Sequence, residues 1–393
     1  MGKQKVNSGA LRIVITGGST GGHLFPGIAI VQEFMARDPQ NRAIFIGTGK
    51  PIEISILSKT SFKYKSITAE GIKGRGLVKR VRSILKIPKG IFESILILKN
   101  FRPDLVIGVG SYSAGPVVIG AWLLGIKIVL HEQNILPGIT TRILSHFADR
   151  IYVSFDNTKA GLNPKKVYVT GNPVRQEILR CGRDQRRPKI AEGAGIADFR
   201  PGFIRDQRPF TILIVGGSQG AHSLNLAVME AIEYIEEKDK FFFVHQTGAY
   251  DEKRVKDTYL RYGIACTVKS FFDDMARQYR KADLVICRAG ATTVAEVTAI
   301  GKGVIFIPYP FAADNHQVLN ARSLADSGAA EMILQRDLSG KLLARRMNYY
   351  ASNPDALNRM ASKARRLGRP DAAKVIVDDC YQLIERKINI SGS

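Results

Sequence analysis

Ile15-Thr16-Gly17-Gly18-Ser19-Thr20-Gly21-Gly22-His23 closes a short apolar run and opens a helical pattern. The figure returns 199 residues later as Ile214-Val215-Gly216-Gly217-Ser218-Gln219-Gly220-Ala221-His222, with six of nine positions identical. The echo reads as two similar domains, each with a glycine-rich loop after its first strand, although two ordinary strand-to-helix turns would share many of those glycines. Around the first copy the strand candidates are Arg12–Thr16, Ala43–Ile46, Leu105–Val109, Ile126–Leu130, Ile151–Val153 and Val167–Thr170. Around the second they are Thr211–Val215, Phe241–His245, Leu284–Cys287 and Val304–Ile307. Continuous β-branched runs separated by helical patterns predict parallel strands covered on both faces, hence two doubly wound α/β domains. Cys181 to Pro209, rich in Arg, Gly, Pro and Asp, reads as a loop or linker near the boundary.

Leu105–Ile126 holds 22 residues without a charge, long enough to span a bilayer. Gly108, Gly110, Ser111, Ser113, Gly115, Pro116 and Gly120 break it, so it reads as a buried strand, a turn and a buried helix. The apolar run after Met1–Val6 is too brief for a signal peptide. Four cysteines without C-x-x-C spacing argue against a zinc knuckle or a disulfide framework and for a reducing cytosol. The 58 Lys and Arg exceed the 35 Asp and Glu by 23, which suggests an acidic partner. Residues 1–174 carry 24 basic and 9 acidic side chains, and residues 175–393 carry 34 and 26, so the excess leans to the N-terminal half. No RNA- or DNA-binding motif accompanies it.

A glycine-rich turn into a helix presents backbone N–H groups at the positive end of the helix dipole, which suits a phosphate. Gly17 to Gly22 has P-loop spacing, but His23 and Leu24 stand where Lys and Ser/Thr are required. A dinucleotide site needs an acid at the end of the second strand, and Asp38 lies before that strand. What remains is a two-domain nucleotide-sugar site.

Seven ordered stretches carry a specific resemblance: residues 17–27, 108–116, His131-Glu132-Gln133-Asn134, 171–175, 216–221, 271–275 and 288–296. They resemble the MurG family, the UDP-N-acetylglucosamine:lipid I N-acetylglucosaminyltransferases of peptidoglycan synthesis. The resemblance implies the GT-B architecture, with two Rossmann-like domains facing across a cleft. It implies an acceptor- and membrane-binding domain over 1–174, a UDP-N-acetylglucosamine domain over 175–370, and a last helix at about 371–393 packing back on the first domain. Asp371–Arg386 is the sequence candidate for that helix. The activity implied is inverting transfer of N-acetylglucosamine to the 4-hydroxyl of the N-acetylmuramyl unit of lipid I, giving lipid II. Cell-wall synthesis, cell shape and cell division depend on that step, and the resemblance places it at the cytoplasmic face of the inner membrane.

Such a transfer needs a base for the acceptor hydroxyl, stabilisation of the departing UDP, and alignment of both substrates. His23 is the candidate base; the alternative is a histidine that caps or fixes its loop. Thr20, Gly21 and Gly22 face the acceptor diphosphate and sugar in this reading. No D-x-D occurs, so no metal or other cofactor is expected; loop amides and the helix opening at Ala291-Thr292-Thr293 would stabilise UDP, with the Ser218 hydroxyl nearby. Arg175 is expected on the donor phosphates, unless it is a surface arginine at a hinge. Glu296 carries the family's ribose role, or forms a capping box with Thr293. Phe272 sits in the segment whose backbone reads uracil in the family. Gln317 is expected on the donor sugar, although the family often has Gln-Gln where this chain has His316-Gln317. Asn134 contacts donor or acceptor sugar, or satisfies a loop as a buried amide. His222, where the family usually has Arg, receives no role.

Between Ile72 and Pro103 nine basic residues meet one acid, Glu93, with apolar residues interleaved. Lys79, Arg80, Arg82 and Lys86 are the candidates for docking on anionic inner-membrane lipid. An ordinary amphipathic helix with solvated charges is the alternative. Two rival functions stay open on sequence: a UDP-sugar epimerase of the same architecture, and a non-catalytic basic membrane-binding module.

Overall fold

The aliphatic runs form the strands the pattern predicts, and all of them pair in parallel. The computed structural model describes residues 10–18, 20–71, 85–158, 161–184 and 208–391. Its contacts divide the chain into two units, Met1–Arg175 with Arg369–Ser393, and Gln176–Gly368.

In the first unit the strands are β1 (Arg12–Thr16), β2 (Arg42–Gly47), β3 (Lys63–Ser66), β4 (Leu105–Gly108), β5 (Lys127–Glu132), β6 (Arg150–Val153) and β7 (Val167–Val169). They lie in the order β3-β2-β1-β4-β5-β6-β7. Ile13, Val14 and Ile15 are all fully buried. Ile13 and Ile15 pack with Leu24, Val31 and Phe34 on one face, and Val14 packs with Val117 and Leu130 on the other. Both faces are therefore covered, which is why the strand reads as a continuous apolar run. The order reverses between β1 and β4, and ligands of such sheets bind beyond the strand ends at that point.

The helix Ala372–Ser391 belongs to this unit. Ile376, Val377, Cys380 and Ile384 join the core face beside Val31 and Phe34. Asn41 Nδ2 donates to the Tyr381 hydroxyl at 2.9 Å, Tyr152 donates to Asp379 at 2.8 Å, and Arg37 pairs with Asp378.

The second unit repeats the plan with β8 (Phe210–Val215), β9 (Phe241–Gln246), β10 (Cys266–Lys269), β11 (Leu284–Cys287), β12 (Gly303–Phe306) and β13 (Glu331–Met332). Their order is β10-β9-β8-β11-β12-β13, with the reversal between β8 and β11. Both doubly wound domains expected from the sequence are present.

Three strands went unforeseen: β3, β10 and β13. Each is an edge strand with half-buried or exposed side chains, so none shows an apolar run. The charge-free stretch resolves as expected into β4 and the helix Ala114–Leu123. Among the described residues no helix is long and apolar enough to cross a membrane. The expected loop from Cys181 is corrected at its start, because the helix Gln176–Asp184 runs through Cys181, which is fully buried. Residues 185–207 lie outside the described residues.

Candidate active site

At the switch point of the first sheet, the turns after β1 and β4 meet back to back. Gly17 has φ +114°, and a Cβ there would stand 2.1 Å from the Gly110 carbonyl oxygen. Only glycine allows that approach. The helix Gly21–Arg37 starts immediately beyond, with Thr20 as its N-cap and His23 in its first turn. Thr20 and Gly22 are exposed and Gly21 is buried. The Thr20 carbonyl accepts from the N–H groups of His23 and Leu24. Asp38 lies in the turn before β2 and accepts from Gln40 N–H, consistent with its exclusion as a ribose ligand.

His23 is half-buried, and its Nδ1 lies 2.9 Å from Gln133 Oε1. Gln133 follows β5 and is buried. Its Nε2 donates to the Val109 carbonyl at 2.9 Å and contacts His131 Nδ1 at 3.0 Å. His131 Nε2 lies 3.3 Å from the Gly171 carbonyl oxygen. Burial, with a smaller contribution from His23, lowers the His131 pKa to about 4, so His131 is neutral at physiological pH. Sequence reading gave His131 and Gln133 no role, although both lie in the quoted motif.

Asn134 is half-buried, and its backbone N–H and side-chain amide lie 3.1 and 3.4 Å from Glu132 Oε1. Glu132 Oε2 accepts from Gly138 N–H at 3.0 Å, so one buried carboxylate shapes the loop after β5. The Arg175 guanidinium lies 4.0 Å from the Phe25 ring centroid, one turn along from the glycine loop.

In the second unit Gly216–Ala221 wraps against Thr247 and Gly248. Gly220 has φ +78°, and a Cβ there would stand 2.0 Å from the Thr247 carbonyl oxygen. Ser218 is exposed at the loop tip. Gln246, at the end of β9, donates to the Gly217 carbonyl at 2.9 Å and accepts from Phe272 N–H at 2.9 Å. It ties the glycine loop to the Phe272 backbone. The Phe272 side chain is buried.

The helix Ala291–Ile300 opens after β11 with Gly290 as N-cap. Thr293 is therefore inside the helix, which removes the capping-box reading of Thr293 with Glu296. Glu296 is buried, and its Oε2 accepts from the Tyr279 hydroxyl at 3.1 Å. Thr292 is buried and Thr293 half-buried at the same helix start. Gln317 Oε1 accepts from Tyr309 N–H at 2.9 Å, just past Asp314 and Asn315, whose φ values of 52° and 53° mark a strained turn. His222 Nδ1 lies 2.9 Å from Asp251 Oδ1.

Among the described residues no three His, Cys, Asp or Glu side chains converge as a metal would require. Lys79, Arg80 and Arg82 lie outside the described residues. Lys86 pairs with Glu70, which stands two residues ahead of the segment whose charges were counted. That pairing gives the docking candidate Lys86 a counter-charge on its own chain. Phe92 is among the apolar residues interleaved in that segment, but sequence reasoning missed Trp122 and the exposed apolar residues beyond Pro103. Trp122 and Phe92 are 53% and 62% exposed, and Leu96, Leu123, Ile139 and Ile143 are exposed too. They lie on Ile87–Phe101, Ala114–Leu123 and Ile139–Leu144, helices packed one against the next, with Lys89, Lys99 and Arg142 exposed among them.

Residues 13–153 match the glycosyltransferase family 28 N-terminal domain, and residues 211–376 match its C-terminal domain. The chain is 42% identical over 378 residues to the UDP-N-acetylglucosamine–N-acetylmuramyl-(pentapeptide) pyrophosphoryl-undecaprenol N-acetylglucosamine transferase of Anaeromyxobacter dehalogenans strain 2CP-C, covering 96% of this chain and 94% of that one. It is 43% identical to the like-named transferase of Syntrophus aciditrophicus strain SB, covering 95% and 99%. Among solved structures it resembles Acinetobacter baumannii MurG, with TM-score 0.71, 30% identity, and 96% and 99% of the chains covered. A UDP-GlcNAc 2-epimerase from Neisseria meningitidis, solved with UDP-GlcNAc, has TM-score 0.64 at 14% identity, with 95% and 99% covered. At that identity the likeness is one of fold alone.

Proposed function

This chain belongs to glycosyltransferase family 28, and from that membership we infer that it moves N-acetylglucosamine from UDP-N-acetylglucosamine to the 4-hydroxyl of the N-acetylmuramyl unit of lipid I, giving lipid II. It is a hexosyltransferase of peptidoglycan synthesis, the step on which cell shape and division rest. The observation that carries the reading is identity above 40% to transferases of that name along nearly the whole chain. The epimerase alternative has only a likeness of fold, and a non-catalytic module would not need either glycine loop.

In the chemistry we assign, the acceptor O4 attacks the anomeric carbon from the face opposite UDP. The C1–O bond breaks and its electron pair leaves on the UDP β-phosphate. The O4 proton passes to His23, and the centre inverts. The first-turn position of His23, beyond the acceptor-side glycines Gly21 and Gly22, supports its role as the base. Thr20 and the same glycines meet the acceptor diphosphate and sugar, and Asn134 meets a sugar. Ser218, Arg175 and the amides at Ala291-Thr292-Thr293 stabilise the leaving diphosphate, which in this reading needs no metal. Glu296 accepts ribose hydroxyls, and its buried bond to Tyr279 pre-sets one oxygen. The Phe272 backbone meets uracil, and Gln246 fixes that backbone by accepting its N–H. Gln317 keeps its amide hydrogens for donor-sugar hydroxyls, because its oxygen is occupied by Tyr309 N–H.

We place the protein peripherally on the cytoplasmic face of the inner membrane, against anionic lipid. The exposed Phe92, Leu96, Trp122 and Ile143, with Lys89, Lys99 and Arg142 near them, support this reading. Each basic residue near such a surface contributes about 1 kcal/mol. Trp122→Ser combined with charge reversal at Lys79, Arg80 and Arg82 is expected to weaken sedimentation with anionic vesicles; unchanged binding counts against docking. The test of the activity is incubation with UDP-N-acetylglucosamine and a lipid I analogue. UDP and the disaccharide product are expected together. Formation of an epimerised UDP-sugar without acceptor would overturn the reading.

A further inference from the structure

We propose that Gln133 is the positioning residue that decides which nitrogen of His23 is basic. The inference rests on His23 being the base. A carbonyl oxygen can only accept, so Gln133 Nε2 must face Val109. Its second amide hydrogen meets His131 Nδ1. That nitrogen is free to accept, because His131 keeps its own proton on Nε2, toward the Gly171 carbonyl. Both hydrogens of the amide are thus committed, and the atom presented to His23 is Oε1 at 2.9 Å. An amide oxygen has no proton to give. His23 must donate from Nδ1, which leaves the lone pair on Nε2 to take the acceptor proton.

The chain of bonds runs from one immobile backbone carbonyl to another through buried groups. Gln133 is 2% exposed and His131 fully buried. Burial holds the His131 pKa at about 4, so protonation does not scramble its tautomer at working pH. The orientation is fixed before substrate arrives, and no reorganisation is needed at the moment of transfer. Gln133 is uncharged, so it sets the tautomer by hydrogen bonding alone. Among the described titratable groups around this loop, Glu132 is engaged with residues 134–138, Glu53 with residues 48–50 and Tyr64, and Arg175 with Phe25. None of these bonds reaches the His23 ring.

The test is ring-nitrogen NMR on the full chain labelled at its six histidines, assigned with His23→Ala, beside steady-state kinetics. In the unmodified protein, His23 is expected as the Nδ1–H tautomer once deprotonated. Gln133→Leu should lose that preference and lower kcat by roughly 10²-fold, with the KM for UDP-N-acetylglucosamine within about twofold. Gln133→Glu keeps an acceptor beside His23 Nδ1 and adds a charge, but a carboxylate has no hydrogen for the Val109 carbonyl or His131 Nδ1. It should regain part of the turnover lost in Gln133→Leu and move the acid limb of the kcat profile up by about one pH unit, because a neighbouring carboxylate favours the imidazolium. A merely structural glutamine would leave the His23 tautomer unchanged in Gln133→Leu. His23 found with its proton on Nε2 overturns the assignment. A normal rate in Gln133→Leu beside an inactive His23→Ala overturns the assignment alone. A normal rate in His23→Ala overturns the base reading and the assignment with it.

Discussion

The two glycine loops each deliver a histidine to the first turn of a helix, and each histidine is wired to a second, buried histidine on a strand. The wires differ. In the first unit His23 reaches His131 through one neutral amide, Gln133. In the second, His222 meets the buried carboxylate of Asp251, which accepts from Asn225 at 2.7 Å, and Asn225 accepts from His245 at 3.0 Å. An amide oxygen can only accept, so it passes on a proton position. In the second unit the acceptor is a buried carboxylate, which Asn225 also donates to, so the ring is tied into the core by Asp251. On the reading proposed above, the same loop serves proton transfer in one unit and anchoring in the other, and six identities in nine aligned positions do not distinguish the two.

The sharpest way to break that contrast is a pair of alanines. His23→Ala should reduce kcat by roughly 10²–10⁴-fold, whereas His222→Ala should leave kcat nearly unchanged and lower the unfolding midpoint instead. Equal losses of kcat would dissolve the distinction.

Acid is the next probe, since both buried histidines are held neutral. Burial lowers His131 to about 4 and His245 to about 3, against about 6.5 in the unfolded chain. Between those values the unfolded chain binds more protons, so stability is lost as pH falls from about 6.5 toward 4. Each histidine accounts for on the order of 3 kcal/mol over that interval. Denaturant unfolding at stepped pH should show the slope, and His245→Asn should remove up to one proton from it. A slope unaltered in that variant would assign the acid sensitivity elsewhere.

Asp251→Ala should cost about 2–3 kcal/mol, because it strips a buried acceptor from Asn225 and His222 together. Gln133→Leu should cost less stability and more rate, which keeps the two wires distinct. The smallest expected effect is on the donor side. Glu296→Gln should raise the KM for UDP-N-acetylglucosamine about tenfold with little change in kcat, the loss of one charged hydrogen bond. A fall in kcat alone would move Glu296 from ribose binding to the reacting centre.

Much of this plan was readable in the chain. β1 and β11 coincide with the runs read from it, because central parallel strands are apolar on both faces. The edge strands β3 and β10, with Lys63, Lys65 and Lys269, gave no such run, because half their surface meets water. His23, Glu296 and the glycine loops could be picked out by motif. Gln133 could not be given its role, because its partners Val109 and His23 lie 24 and 110 residues away and only the sheet order brings them together. The counter-charge of Lys86 was not legible for the converse reason: Glu70 sits just outside the segment whose charges were counted.

The helix Ala372–Ser391 sets an order of events during synthesis. The unit Gln176–Gly368 is one continuous stretch and can close as soon as it leaves the ribosome. The unit that carries His23 is discontinuous, and its core face beside Val31 and Phe34 stays open until Ile376, Val377, Cys380 and Ile384 emerge. At about 5–20 residues per second, that wait is on the order of 10–40 s. For that interval the nascent first domain shows an apolar flank to its surroundings, and a stop codon ahead of residue 372 would make the exposure permanent.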